Sequence, residues 1–168
     1  KDALRTLSKL DQQYLDPILI PHILIQIEKN LVTDAQLGAF LALLSPEKCT
    51  HEIVTIFARE FKKRASPCFD GSEGVDIVGT GGDGSNTFNV STAASFLISA
   101  AGCPVVKHGN RAASSKSGSA DLLEALGADL DLNSQQLEKV FKECGFTFLF
   151  ARSFHPFMKP FGPIRQQL

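Results

Sequence analysis

Apolar residues recur at helical spacing through the first third of the chain, then give way to short apolar runs set between glycine-rich and hydroxyl-rich segments. Asp16-Pro17 is a good helix start, apolar positions continue to Ile27, and Asn30 is the expected stop. Thr33-Asp34-Ala35-Gln36 has the spacing of a capping box, in which the Thr33 hydroxyl and the Gln36 side chain satisfy each other's otherwise unpaired N–H groups. The helix it opens carries Leu37, Phe40, Leu41 and Leu44 on one face. Ser45-Pro46 predicts another start, with Ile53, Ile56, Phe57 and Phe61 on the apolar side and Lys62-Lys63-Arg64 near the C-terminal dipole. Residues 1–65 are therefore expected to form a small helical domain whose apolar faces serve packing or oligomerisation rather than chemistry.

The pattern changes after Ser66-Pro67-Cys68-Phe69-Asp70-Gly71-Ser72, and residues 66–74 are the expected linker. Val75-Asp76-Ile77-Val78 predicts a short strand running into the turn Gly79-Thr80-Gly81-Gly82-Asp83-Gly84. Ser91 to Ala101 reads as a small-residue helix and Pro104-Val105-Val106-Lys107 as a second strand. Ala120 to Leu126 reads as a helix, and Gln135 to Cys144 as another, opened by a capping box at Asn133 and Gln136. Phe146-Thr147-Phe148-Leu149-Phe150 predicts a buried strand. Strands alternating with helices imply a parallel sheet with crossovers. The expected fold class is α/β: a small N-terminal helical domain plus the first part of a large, mostly parallel α/β domain over residues 75–168. Ligands of such sheets sit at the carboxyl ends of the strands, where the glycine turn and Lys107-His108-Gly109-Asn110-Arg111 both fall.

Composition narrows the function classes. With 17 basic against 18 acidic residues and a net charge of −1, the chain has no global attraction for nucleic acid or an anionic membrane, so any anion site must be local. No apolar run approaches the roughly 18 residues of a membrane span. Cys49, Cys68, Cys103 and Cys144 show no metal-knuckle or CxxC spacing and read as free thiols of a cytoplasmic protein. Met158 is the single methionine, and the chain is expected to be a piece of a longer protein.

Residues 84–120 hold no acidic residue at all. A stretch rich in Gly, Ser, Thr and cations but free of acids suits a polyphosphate: glycines let backbone N–H groups approach the anion, hydroxyls donate to it, and lysine neutralises charge. Gly79-x-Gly81-x-x-Gly84 matches a dinucleotide fingerprint literally. The acid that would hold ribose hydroxyls is missing, however, since the second strand ends on Lys107 and His108, and Ser85-Asn86-Thr87-Phe88-Asn89 delays the helix. A P-loop fails as well, because Ser85-Asn86 stands where Lys-Ser/Thr is required. Asn89-Val90-Ser91-Thr92, at a helix start with free N–H groups, completes a cradle after the turn. Ser114, Ser115, Ser117 and Ser119 supply a polar loop.

Together, Gly79-Thr-Gly-Gly-Asp83, Asn89-x-Ser91-Thr92, Lys107-His-Gly-Asn-Arg111 and Ser114-Ser115-Lys116-Ser117-Gly118-Ser119-Ala120-Asp121 closely resemble the anthranilate phosphoribosyltransferases. Phe154-His155-Pro156-Phe157-Met158-Lys159 and Gly162-Pro163-Ile164-Arg165 continue the likeness more weakly. The resemblance implies transfer of a phosphoribosyl group from phosphoribosyl pyrophosphate (PRPP) to the amine of anthranilate, in tryptophan biosynthesis. It implies PRPP contacts from Gly79, Gly82, Asp83, Thr87, Asn89, Val90, Ser91, Thr92, Lys107, Ser115 and Ser119. Anthranilate would meet Gly79, His108, Asn110, His155 and Arg165, and catalysis would fall to Lys107, Asn110 and Arg165. Mg²⁺ is the implied cofactor, touched by Ser91, and a homodimer through the N-terminal helices is the implied assembly. The family's adjacent Asp-Glu pair for Mg²⁺ does not occur in this chain, so the stretch by itself is expected to be inactive. Two rival readings remain: glycosyl transfer in the manner of pyrimidine nucleoside phosphorylases, and a non-catalytic relative that binds nucleic acid.

Overall fold

The computed structural model describes residues 15–44, 49–79, 88–112 and 117–168. In chain order its elements are α1 (Leu19–Glu28), α2 (Asp34–Leu43), α3 (His51–Lys63), α4 (Val90–Ala100), β1 (Val105–Gly109), α5 (Ser119–Ala125), α6 (Ser134–Cys144), β2 (Phe146–Phe150), α7 (Ala151–Phe154) and α8 (Phe161–Arg165), with a 3-10 turn, Pro156–Met158, before the last. They fall into two compact units. The first joins the described residues up to Ala65 with His155–Leu168, and the second is Ser66–Phe154.

Local signals set the helix ends of the first unit. The Asp16 carboxylate accepts the Ile18 N–H at 3.0 Å ahead of α1, and Asn30, at φ +54°, takes the left-handed conformation that stops the chain where expected. The Thr33–Gln36 capping box is present, with reciprocal bonds of 3.3 and 3.0 Å. Helix α3 begins later than predicted: Thr50 supplies the capping oxygen to Ile53 N–H at 3.3 Å, while Ser45 and Pro46 lie outside the described residues. The buried core is Leu15, Ile20, Leu24, Ile27, Leu37, Phe40, Ile53, Phe161 and Ile164. Residues 155–168 were expected with the α/β part, yet Phe161 and Ile164, three apart on one face of α8, complete this helical core. One ionic group joins it: Glu60, 8% exposed, pairs with Lys63 at 2.6 Å and with Arg64 at 2.7 Å. Arg64 also reaches Glu28 at 3.2 Å and lies over the Phe157 ring.

The second unit is built on a parallel pair in which Val105 faces Phe146 and Gly109 faces Phe150. The chain passes between the two strands through α5 and α6, as a parallel pair requires. Helix α6 carries the predicted Asn133–Gln136 capping box and ends on Gly145, at φ +64°. Ala120, Leu123, Leu130, Phe148 and Phe150 form the apolar core. The expected linker packs into this unit. Ser66 N–H donates to Phe154 O at 2.8 Å, Phe69 meets the Phe141 ring at 5.5 Å, and Gly74 lies so near β1 that a Cβ there would come within 2.6 Å of the Val106 side chain.

The strand predicted at Val75–Val78 reduces to a single bridge, Val75 to Val105. Val106 N–H donates to Val75 O at 3.0 Å. The next rung of a parallel ladder would join His108 N–H to Ile77 O. Two side chains intercept it: the Asp76 carboxylate accepts His108 N–H at 3.2 Å, and Ile77 O accepts the Lys107 ammonium. Helix α4 is also unusual in what it buries. Thr92 and Ser95 face inward at 0% exposure, whereas Val90 and Leu97 stand 53% and 72% exposed.

Candidate functional site

Of the predicted anion-binding residues, Asn89, Val90, Ser91, Thr92 and Ser119 lie where α4 and α5 begin, and Lys107 lies in β1. Lys107 is the third of five β1 residues, inside the strand rather than at its end, because pairing continues to Gly109. Its side chain is 1% exposed. Burial pulls the ammonium below the usual lysine range, and the charge of Asp76 opposes that fall. A dry cation held, among the described residues, by a carbonyl and a nearby carboxylate is a strong local attractor for an anion.

Asn89 occupies the N-cap of α4 without capping it. Its Nδ2 instead donates to Gly118 O at 3.1 Å, tying the start of α4 to the start of α5. Asn110, just past β1, accepts the Ser119 hydroxyl at 3.3 Å and the Ala120 N–H at 3.2 Å on its main-chain oxygen. Three predicted residues from separate segments, Asn89, Asn110 and Ser119, are thus joined within the unit. In the first turn of α4, Val90 is exposed and its N–H donates to Phe88 O at 2.7 Å, while Ser91 O accepts the Ser95 hydroxyl at 2.6 Å. Thr92 Oγ1 is buried with no hydrogen-bond partner among the described residues. A hydroxyl left in this state costs about 1–3 kcal/mol; Thr147 Oγ1 of β2 is likewise without a partner among the described residues.

Gly79 is exposed, and a Cβ at this position would meet nothing within 4 Å among the described residues. Gly82, Asp83, Thr87 and Ser115 lie outside the described residues. His108 sits in β1, whereas His155 and Arg165 belong to the first unit, His155 ahead of the 3-10 turn and Arg165 as the last residue of α8.

The sequence reading missed a clasp beside these groups. Arg111 donates to Glu124 through both terminal nitrogens, at 2.6 and 2.9 Å, and to Asp121 at 3.3 Å. Asp121 Oδ2 accepts the N–H groups of Ala112 at 2.9 Å and Gly118 at 2.8 Å. Those two bonds, and then Arg111, hold the Asp121 carboxyl below its usual range. Arg111 does the same to Glu124 and is itself raised above the usual arginine value by it. A signal for it exists in the sequence: Asp121 is the acid that ends the acid-free stretch, and it follows Gly118 by three residues.

Among the described residues no group of three His, Cys, Asp or Glu stands together. Ser91 alone therefore does not make a Mg²⁺ site, and these residues do not fit the ion by themselves. All four cysteines are free, and no helix of the described residues is long and apolar enough to cross a membrane.

Residues 71–168 match the model of the glycosyl transferase family, a/b domain. The chain belongs to this family. This glycosyl transferase family member is 43% identical over 158 residues to the anthranilate phosphoribosyltransferase of Lactiplantibacillus plantarum, covering 94% of this chain and 47% of that one. The Corynebacterium jeikeium enzyme of the same name is 47% identical over 145 residues, covering 85% and 40%. Of solved structures, anthranilate phosphoribosyltransferase from Thermus thermophilus superposes with a TM-score of 0.83 at 38% identity, over 99% of this chain and 50% of that one. The Saccharomyces cerevisiae enzyme in complex with PRPP and Mg superposes at 0.73 and 32% identity, over 98% and 43%. The chain spans about half the length of the curated relatives it matches. The likeness that the motifs imply is therefore found independently in sequence and in fold, and the α/β class holds.

Proposed function

We propose that the whole protein to which this family member belongs transfers the phosphoribosyl group of PRPP to the amine of anthranilate, forming N-(5-phosphoribosyl)anthranilate and releasing pyrophosphate. The observation that carries the reading is the junction of Asn89, Asn110 and Ser119, in the unit that also buries Lys107 and the Thr92 hydroxyl. The names of the relatives support it, as does the PRPP complex of the yeast neighbour.

The residues take the roles that the resemblance implies. The difficult event is departure of pyrophosphate from the ribose C1. Lys107 and the positive end of the α4 dipole stabilise the anion that develops, and they are oriented before the reaction begins. Asn89, Ser91, Thr92 and Ser119 hold the phosphates by hydrogen bonds, joined by Gly79, Gly82, Asp83, Thr87, Val90 and Ser115. Arg165 suits the anthranilate carboxylate, to which a guanidinium binds through two parallel bonds. Asn110 holds the same substrate, and His108 and His155 line its route. An aromatic amine is already a nucleophile, so holding it in line with C1 supplies much of the rate without a strong base. Pairing through the first unit, where Ile18 and Leu31 flanking α1 and Val54 of α3 are exposed, completes the proposal as a homodimer, and the free thiols support a cytoplasmic setting.

The test uses the complete polypeptide that carries this chain. Anthranilate with PRPP and Mg²⁺ should give N-(5-phosphoribosyl)anthranilate, Lys107→Ala should abolish PRPP binding in calorimetry, and pyrimidine nucleosides with phosphate should give nothing. Turnover of the nucleosides, or none with PRPP, overturns the reading.

A further inference from the structure

We propose that Asp121, with Arg111 and Glu124, is a positioning group for the phosphoribosyl-donor site, setting the spacing of Asn89, Asn110 and Ser119 without touching the substrate. The inference rests on the reading of that site given above. It begins from a geometric fact: one carboxylate oxygen, Asp121 Oδ2, holds the N–H groups of both Ala112 and Gly118, at 2.9 and 2.8 Å. Two points six residues apart in the chain are thereby pinned to a single atom.

Each pinned point leads to a proposed ligand group. Gly118 O accepts the Asn89 side chain, and the next residue is Ser119. Ala112 follows Asn110 by two residues, and Asn110 O accepts Ser119 Oγ and Ala120 N–H. The Asn110 side chain is turned by a bond of its own, accepting Arg111 N–H at 2.8 Å. Arg111 then anchors the carboxylate from the other side, joining Asp121 to Glu124 and lying 5.7 Å over the Phe150 ring of β2. The clasp is referenced to the sheet through that ring, not only to its own helix.

The packing leaves no slack. A Cβ on Gly118 would lie 2.4 Å from Ala112 N and 2.6 Å from Asn110 O, and one on Gly109 would lie 2.2 Å from Ser119 Oγ and 2.7 Å from the Phe148 ring. Gly118 has φ −87°, a conformation open to any residue, so the close approach and not the backbone angle excludes a side chain there. Charge-assisted bonds to two amides also exceed neutral ones in strength, roughly twofold. A surface ion pair alone would contribute little. An ion pair that orients a doubly bonded capping carboxylate fixes geometry, and misplacement of a substrate-holding group by about 1 Å is enough to lower catalysis on the order of a hundredfold.

The experiment is steady-state kinetics of the complete polypeptide with PRPP as the varied substrate, for wild type, Asp121→Ala, Asp121→Asn and Glu124→Gln. Asp121→Ala should raise the KM for PRPP by up to about a hundredfold, with a smaller rise in the KM for anthranilate, which Asn110 is proposed to hold. Asp121→Asn keeps an oxygen for the two amides but loses the pair with Arg111, and should give a smaller rise. Glu124→Gln changes only a half-exposed partner, so it reports even if Asp121→Ala fails to fold, and its rise should be the smallest. Unchanged KM for PRPP in the folded variants overturns the proposal, as does a fall in kcat alone, which a merely structural role would produce. No turnover by wild type would instead overturn the reading of the site itself.

Discussion

Both units have an apolar core, but they differ in the polar groups they bury beside it. The first closes around Leu15, Ile20, Leu24, Ile27, Leu37, Phe40 and Ile53, with Glu60 as its buried charge. The second buries Thr92, Ser95, Lys107 and Thr147 while Val78, Phe88, Val90 and Leu97 stay exposed. Pattern, capping and packing agree in the first unit, as they do in segments shaped by stability alone. In the second they conflict at α4 and β1, where the proposed site lies. Local rules tend to be broken where function needs them broken, and here the breaks are a hydroxyl without a partner among the described residues and a buried cation.

The sharpest way to break this comparison is to truncate both interiors. Leu24→Ala, at a fully buried position of the first unit, should lower unfolding free energy by about 2–5 kcal/mol in denaturant titration. PRPP affinity per folded molecule should not change. Thr92→Val should behave in the reverse way. It removes the orphaned hydroxyl at nearly constant volume, so stability should hold or rise by up to about 1–3 kcal/mol, while PRPP binding weakens. A Thr92→Val variant as damaged as Leu24→Ala would erase the distinction between the units.

A smaller effect sharpens it through pH. Glu60, Asp121 and Glu124 all have carboxyl groups held below their ordinary values; Lys63 acts first on Glu60, the Ala112 N–H on Asp121, and Arg111 on Glu124. Each stabilises the fold fully above the unfolded carboxylate range, at about pH 4, and loses that contribution as pH falls through the lower folded value. Denaturant midpoints should therefore hold from about pH 7 to pH 5 and drop below about pH 4. Glu60→Gln should flatten part of that acid limb, and Glu124→Gln less, since half of its side chain is in water.

What the sequence made legible follows the same division. The Thr33–Gln36 and Asn133–Gln136 boxes were readable because each is complete within four residues. The strand Phe146–Phe150 was readable because its composition suits one environment. Val75–Val78 was not, since its pairing is decided by side chains at positions 76 and 107, some thirty residues apart. The place of Phe161 and Ile164 was hidden for a related reason: their spacing shows a helix face but not which core receives it. At the site, residue types pointed to an anion, whereas the clasp appeared only once Arg111, Asp121 and Glu124 stood together in space.

The burial of Lys107 also fixes when solvent is removed. Its ammonium sheds water as the chain folds, and the Ile77 carbonyl takes that water's place. In the proposed function, an anion arriving at this group would displace the Ile77 carbonyl rather than a full hydration shell. The cation's desolvation would then be completed once, during folding, instead of at every encounter.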